Sequence, residues 1–273
     1  GDSLTGAGVY SRHVLELCAP AGNPRLTLVG GRGDGQAGTN RHEGYGGWTA
    51  KRFAIEDGAS MTSPESPVCS SPFLHLDRRG MPILDYARFC DQVNGGRTPD
   101  FVVFFLGTND VFGAIDGNID SRIDAMFPHL EALVGMILRV RPETQVGIVL
   151  IPPPARSQDA FGASYSCGQT RWQYRRNQHR LVERIATEFA GFEAANVHLV
   201  PVYLGLDCDL GYPFGPPTSL NSRAKERGSR QSNGVHPGEA GYRQIGDVVH
   251  SWLKARLAEI PGKTPSRGRN AGK

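Results

Sequence analysis

Phe101-Val102-Val103-Phe104-Phe105-Leu106-Gly107-Thr108-Asn109-Asp110 is the stretch that decides the fold. Its first six residues are apolar, β-branched or aromatic, with no polar break, and they stop at a glycine. A strand half-exposed to water alternates, whereas a strand covered on both faces reads as a continuous apolar run, and that is the habit of parallel sheets. Three more runs share the character, at 26–30, 146–151 and 197–202. Between them apolar residues return every three or four positions. Ile119, Ile123, Phe127, Leu130, Val134 and Ile137 do so, as do Leu181, Ile185 and Phe189, and then Tyr242, Ile245, Val249, Trp252 and Leu257. Strands alternating with helices predict a mostly parallel central sheet, and right-handed crossovers then give a three-layer α/β/α sandwich. Ligands of such sheets bind beyond the carboxyl ends of the strands. Gly107-Thr108-Asn109-Asp110 falls at that edge.

The chain has 273 residues, 39% of them hydrophobic, enough for one sizeable core. A single domain is expected over 1–260, followed by a disordered basic tail at 261–273. The net charge is +3, and Lys263, Arg267, Arg269 and Lys273 of that tail account for more than all of it. A near-neutral body offers no electrostatic footprint for nucleic acid. No run reaches transmembrane length. The five cysteines include no CxxC pair, so neither a zinc site nor a redox motif is indicated. Cys167 and Cys208, in loop-like sequence, can pair or remain free thiols. The long polar stretches 58–72 and 203–234 read as rim loops or lids. Residues 152–180 carry Phe161, Tyr165, Arg171, Trp172, Tyr174, Arg175 and Arg176. They form either a substrate-facing wall or a solvated arginine face with its aromatics in the core.

Three short blocks supply complementary chemistry. Gly1-Asp2-Ser3 offers a hydroxyl, which is a poor nucleophile until a base takes its proton. Asn233-Gly234-Val235-His236-Pro237 offers the base, an imidazole in a turn just before a proline suited to opening the last helix. Asn109 offers a side-chain amide at a strand end, the kind of donor that holds an oxyanion. Gly47, between Gly46 and Trp48, lets a backbone N–H approach a ligand closely and opens a helical stretch over 48–55. Taken alone, Ser3 also fits a helix cap, and Asn109 an Asx-turn. A nucleophile on a strand-to-helix turn needs a strand before it, so a central strand and any export signal are expected ahead of Gly1.

Together with Gly44-Tyr45-Gly46-Gly47, these blocks run in the order Gly1-Asp2-Ser3-Leu4, Gly44–Gly47, Gly107–Asp110, Gly234–Pro237. In that order they resemble the SGNH (GDSL-type) hydrolases. The resemblance implies a flavodoxin-like sandwich and a serine esterase mechanism without metal or cofactor. It implies Ser3 as nucleophile, His236 as base, and an oxyanion hole built from Ser3 N–H, Gly47 N–H and Asn109. The second block, 42–49, looks like that of carbohydrate deacetylases such as acetylxylan esterases. The expected substrate is therefore a short acyl ester, acetyl above all, on a sugar or polysaccharide, and the expected location is secreted or periplasmic. His42, Tyr45, Trp48 and Trp172 are the expected substrate rim.

One position departs from the family pattern. Asn233 stands where the family usually has an aspartate three residues before the histidine. In a serine protease an Asp-to-Asn change at the residue behind the histidine lowers turnover about 10⁴-fold. Asn233 can orient the ring through its amide oxygen, Asp207, Asp209 or Glu239 can take the role, or the site is impaired. A working Ser–His dyad is the leading expectation. The rival readings are a non-catalytic carbohydrate-binding module on a decayed hydrolase scaffold, an acyltransferase, and a lipase or thioesterase using the same site. Deamidation of the Asn233-Gly234 pair would create the missing acid in place. Gly33-Asp34-Gly35-Gln36-Ala37-Gly38 fits a dinucleotide fingerprint, but no helix opens there, so nucleotide binding is not expected. Arg32-Gly33-Asp34 spells an adhesion tripeptide, a match too short to carry weight.

Overall fold

The apolar runs become strands wherever a neighbour supplies a backbone edge. In the computed structural model, which describes residues 1–33, 39–55, 71–164 and 169–260, the chain order is as follows. Helices α1 (Ser3–Gly6) and α2 (Val9–Cys18) precede the short strands β1 (Arg32–Gly33) and β2 (Arg41–His42) and helix α3 (Ala50–Ala54). Strands β3 (Leu74–Leu76) and β4 (Pro82–Leu84) and helix α4 (Tyr86–Asn94) come next. Then follow β5 (Phe101–Phe104), α5 (Thr108–Val111), α6 (Ile119–Val140), β6 (Gln145–Val149), α7 (Asp159–Ser164) and α8 (Arg171–Glu188). Strand β7 (Val197–Val200), α9 (Val202–Gly205), β8 (Thr218–Ser219), β9 (Arg227–Gly228) and α10 (Glu239–Glu259) complete the fold.

Strands β5, β6 and β7 form a parallel sheet in that order, with Val103 opposite Gly147 and Ile148 opposite Leu199. The other pairs, β1–β2, β3–β4 and β8–β9, are two-stranded antiparallel ribbons outside it. Helices α2 and α10 pack on each other as one layer, and α6 packs with α3, α4, α5 and α8 as another. The result is the three-layer α/β/α sandwich. Its core joins Val146, Ile148 and Val149 of the sheet to Leu130, Leu133 and Ile137 of α6 and to Ile245 and Val249 of α10, all buried. Gly107, between β5 and α5, caps the helix with φ 119°, and a Cβ there would lie 2.6 Å from Leu181, so glycine suits the turn out of the sheet into α5.

Several local expectations are corrected. Residues 26–30 form no strand, and among the described residues their backbone makes no ladder of hydrogen bonds with a neighbour. Helix α3 begins at Ala50 rather than at Gly47, with Thr49 as its cap, Oγ1 accepting from Arg52 N–H at 3.2 Å. Pro237 stands before α10 rather than in it, since the helix opens at Glu239 with Gly238 as cap. The 203–234 stretch is not one long loop, for it contains the end of α9 and the β8–β9 ribbon. Of the two readings for Cys208, the free thiol is the one found. Cys167 itself, the Gly-rich run over 34–38, residues 56–70 and the tail 261–273 lie outside the described residues.

Candidate active site

Ser3 owes its place to Asp2. The buried Asp2 carboxylate caps α1, Oδ1 accepting from Leu4 N–H at 2.9 Å, and this sets Ser3 as the first helical residue. Asp2 N–H donates to Phe105 O at 3.2 Å, which brings Ser3 to the carboxyl end of β5 beside the Gly107–Asp110 turn. Burial pushes the Asp2 carboxyl up to about 6.

His236 arrives from the other end of the chain, 233 residues away, and its Nε2 lies 2.8 Å from Ser3 Oγ. The loop that carries it is fixed at three points. Asn233 Oδ1 accepts from the N–H groups of Val235 at 3.0 Å and of His236 at 2.8 Å. Ala155 N–H donates to Gly234 O at 3.1 Å. The Phe161 ring lies so close to Gly234 that a Cβ there would meet it at 2.7 Å. Burial lowers the His236 imidazole below its ordinary value, because the charged form is the one that loses water. A base that is neutral at neutral pH and within hydrogen-bond reach of a hydroxyl can accept its proton.

Asn233 thus acts on the backbone of the histidine loop, through two N–H bonds. The three carboxylates weighed as substitutes are also engaged elsewhere. Asp207 accepts from Asp209 N–H at 2.8 Å, Asp209 pairs with Arg156 at 2.5 Å, and Glu239 pairs with Arg243 at 3.2 Å.

The donors converge from two blocks that are tied together. Asn109 Nδ2 donates to Trp48 O at 3.0 Å, which leaves its second N–H for another acceptor. Asp110 accepts from Ala50 N–H at 3.1 Å, and burial pushes its carboxyl up to about 7. Nothing in the sequence pairs Asp110 with Ala50, and only the packed fold reveals the link. Gly47 is exposed with φ 76° in the turn just before, where a left-handed backbone is open to glycine at no steric cost. A Cβ on neighbouring Gly46 would stand 4.0 Å from Ser3 Cβ, so this turn lies beside the Ser3 side chain.

The expected rim divides. Tyr45 and Trp48 are core residues rather than rim, exposed by only 8% and 3% and stacked on each other at 4.3 Å. His42 is half-buried, and its Nδ1 accepts from Gly44 N–H at 3.2 Å. Trp172 is 54% exposed, under the Arg171 guanidinium, and lines a small recess with Arg156, Arg175 and Cys208 that contains neither Ser3 nor His236. Phe161 and Tyr174 are fully buried, while Arg180 and Arg184 of α8 pair with Asp120 and Asp124 of α6, and Arg176 pairs with Asp116 just before α6. That arginine face is a solvated helix face. Among the described residues no group of histidine, cysteine and acidic side chains is arranged to hold a metal ion, and no helix is long and apolar enough to cross a membrane.

Residues 1–249 match the family model of GDSL-like lipases/acylhydrolases, nearly the whole of the described chain. The chain belongs to that family. This GDSL-type hydrolase is a carboxylic ester hydrolase, and its substrates are esters. Among solved structures it is similar to a carbohydrate esterase family 3 protein from Talaromyces cellulolyticus, with 18% identity, TM-score 0.53, 95% of this chain covered and 96% of the other. It is also similar to an acetyl esterase mutant with acetate ion, with 16% identity, TM-score 0.51 and 94% of each chain covered. These likenesses establish the shared fold. No curated protein matches the chain.

Proposed function

We propose that this GDSL-type hydrolase removes short acyl groups, acetyl above all, from carbohydrate esters through a Ser3–His236 dyad and an acyl-enzyme. The observation that carries the proposal is the 2.8 Å approach of His236 Nε2 to Ser3 Oγ beside two donor-bearing turns. His236 takes the Ser3 proton as Oγ bonds to the ester carbonyl carbon. The tetrahedral oxyanion is held by Ser3 N–H, Gly47 N–H and the free N–H of the Asn109 amide, and one such donor is worth about 2.7–4 kcal/mol in the transition state. His236 then gives the proton to the leaving alkoxide as the C–O bond breaks. In the second half it takes a proton from water, which attacks the acyl carbon, and returns it to Ser3 as the acid departs. With the neutral Asn233 in the place of the family's usual aspartate, that position adds no negative charge to stabilise the imidazolium, so a modest turnover is part of the proposal.

The acetyl and carbohydrate parts rest on the second block, 42–49, which looks like that of carbohydrate deacetylases, and on the names borne by the two fold relatives. Ser3→Ala is expected to lower kcat on p-nitrophenyl acetate at least about 10⁴-fold with the fold intact by circular dichroism. Full activity in that variant overturns the nucleophile. A fluorophosphonate should label native Ser3 and spare the variant, which separates an enzyme from a binding module. A p-nitrophenyl ester series that gains rate beyond propionyl, or acetylated xylo-oligosaccharides left intact, would refute the substrate assignment.

A further inference from the structure

The small recess beside Trp172 is set next to the histidine loop. Ala155 lines it and donates its N–H to Gly234 O at 3.1 Å, two residues before His236. Arg156 follows, its backbone N–H donating to Cys208 O at 2.9 Å, and Cys208 lines the recess too. The first turns of α8 add Arg171, Trp172 and Arg175. Three segments distant in sequence thus meet, and backbone bonds fix two of them to each other and to the loop that carries the base.

The charge of the recess is unbalanced. Arg156 pairs with Asp209 at 2.5 Å. Asp207, the other acid near Cys208, accepts from the N–H groups of Asp209 at 2.8 Å and Leu210 at 3.2 Å. Arg171 donates to Arg156 O and lies over the Trp172 ring at 4.1 Å, which leaves it further N–H donors. Arg175 is exposed, and its guanidinium is near enough to the Cys208 thiol to offset part of the rise that burial imposes there. Among the described residues neither Arg171 nor Arg175 has a carboxylate partner, whereas Arg176, Arg180 and Arg184 of the same helix each have one. Two guanidiniums with unspent charge therefore converge on one concavity.

Size selects the ligand. The recess encloses about 50 Å³, room for a group of a few heavy atoms but not for a sugar ring. A carboxylate is of that size, and its two oxygens match the paired N–H donors of a guanidinium. The ring that bears it stays outside, where Trp172 is 54% exposed. The apolar C–H face of a pyranose packs on such an aromatic surface.

We propose that the recess is an accessory subsite for a hexuronic acid residue of an acidic polysaccharide, with Arg171 and Arg175 on its carboxylate and Trp172 against its ring. This rests on the reading of the substrate as a carbohydrate ester. A sugar chain anchored there lies beside the histidine loop, so acyl groups on residues next to a uronic acid are the ones delivered to Ser3.

The test is calorimetric titration of the native enzyme with a xylo-oligosaccharide bearing one glucuronic acid, and with the neutral oligosaccharide of the same length. The acidic probe is expected to bind at least about tenfold more tightly. Arg175→Gln should weaken the acidic probe alone, and Trp172→Ala should weaken both. Arg180→Gln removes the same charge from the same helix away from the recess, and should leave both affinities unchanged. Equal affinity for the two probes overturns the proposal, as does binding of neither. An Arg180→Gln loss as large as that of Arg175→Gln would show only the pull of a basic surface, and overturns it. Displacement of the acidic probe by an equal concentration of inorganic phosphate would show a general anion site, and overturns it too. The probes carry no ester, so failure of the esterase assignment leaves this result standing, and loss of the charge preference leaves that assignment standing.

Discussion

At the residue scale the site turns on which groups a buried side chain can still reach. His236 must be neutral to take the Ser3 proton, and burial favours the neutral form. The acidic limb of kcat/KM against pH is therefore expected to have its midpoint below 6.5, the ordinary histidine value, measured with p-nitrophenyl acetate. A midpoint above that value would contradict the burial argument. Asn233 separates positioning from charge. Asn233→Ala leaves the N–H groups of Val235 and His236 without their acceptor, and is expected to lower kcat about 10–100-fold and to lower Tm. Asn233→Asp keeps an oxygen for both and should retain at least native activity. Peptide mass spectrometry of active native enzyme decides whether deamidation makes that change unaided.

At the element scale, α5 and α3 are joined by one side chain. Asp110 ties the Asn109 turn to the first turn of α3, and so holds the Gly47 turn and the Asn109 amide in one frame. Its carboxyl sits at about 7 in the fold against an ordinary value of 3.8, so the folded state holds the proton more tightly than the unfolded chain. The group's contribution is then greatest below about pH 4 and declines as pH rises toward 7. Asp110→Asn does not titrate and keeps an acceptor for Ala50. Its stability relative to the native chain is expected to rise by roughly 1–3 kcal/mol between pH 4 and 7 and then level off, by urea unfolding across that range. A difference independent of pH would refute the buried carboxyl. The start of α3 shows why element ends are hard to read. Trp48 continues the apolar spacing, but the Thr49 hydroxyl takes the cap, and a cap outranks a weak pattern over a five-residue helix.

At the scale of the whole molecule the two helical layers press on a thin sheet. Gly147 in the central strand lies under α10, where a Cβ would stand 2.7 Å from Val200 and 2.9 Å from Trp252. Gly147→Val is expected to cost about 1–3 kcal/mol in denaturant unfolding, because α10 must move outward, while the folded fraction keeps its esterase activity. Loss of activity without loss of stability would mean that α10 carries strain to His236, which its N-terminal end follows. The arginine–aspartate ladder that joins α8 to α6 and to the turn before it is solvent-exposed, and screening leaves it little influence on the fold.

The sequence by itself determined the α/β layering and the family. Apolar runs at 101–106 and 146–151, and one at 197–202 broken only by His198, fit strands buried between two covers, and four short blocks carry the family pattern in order. It also named Ser3 and His236, because a hydroxyl and an imidazole in those blocks have complementary chemistry. Only the tertiary structure decided which groups meet. It set Nε2 2.8 Å from Oγ across 233 residues, turned the Asn233 amide to the backbone, and drew Tyr45 and Trp48 into the core. It also left 26–30 unpaired. A residue's type fixes what it can donate, accept or bury, but partners distant in sequence are chosen by packing, and a strand exists only where another edge lies beside it.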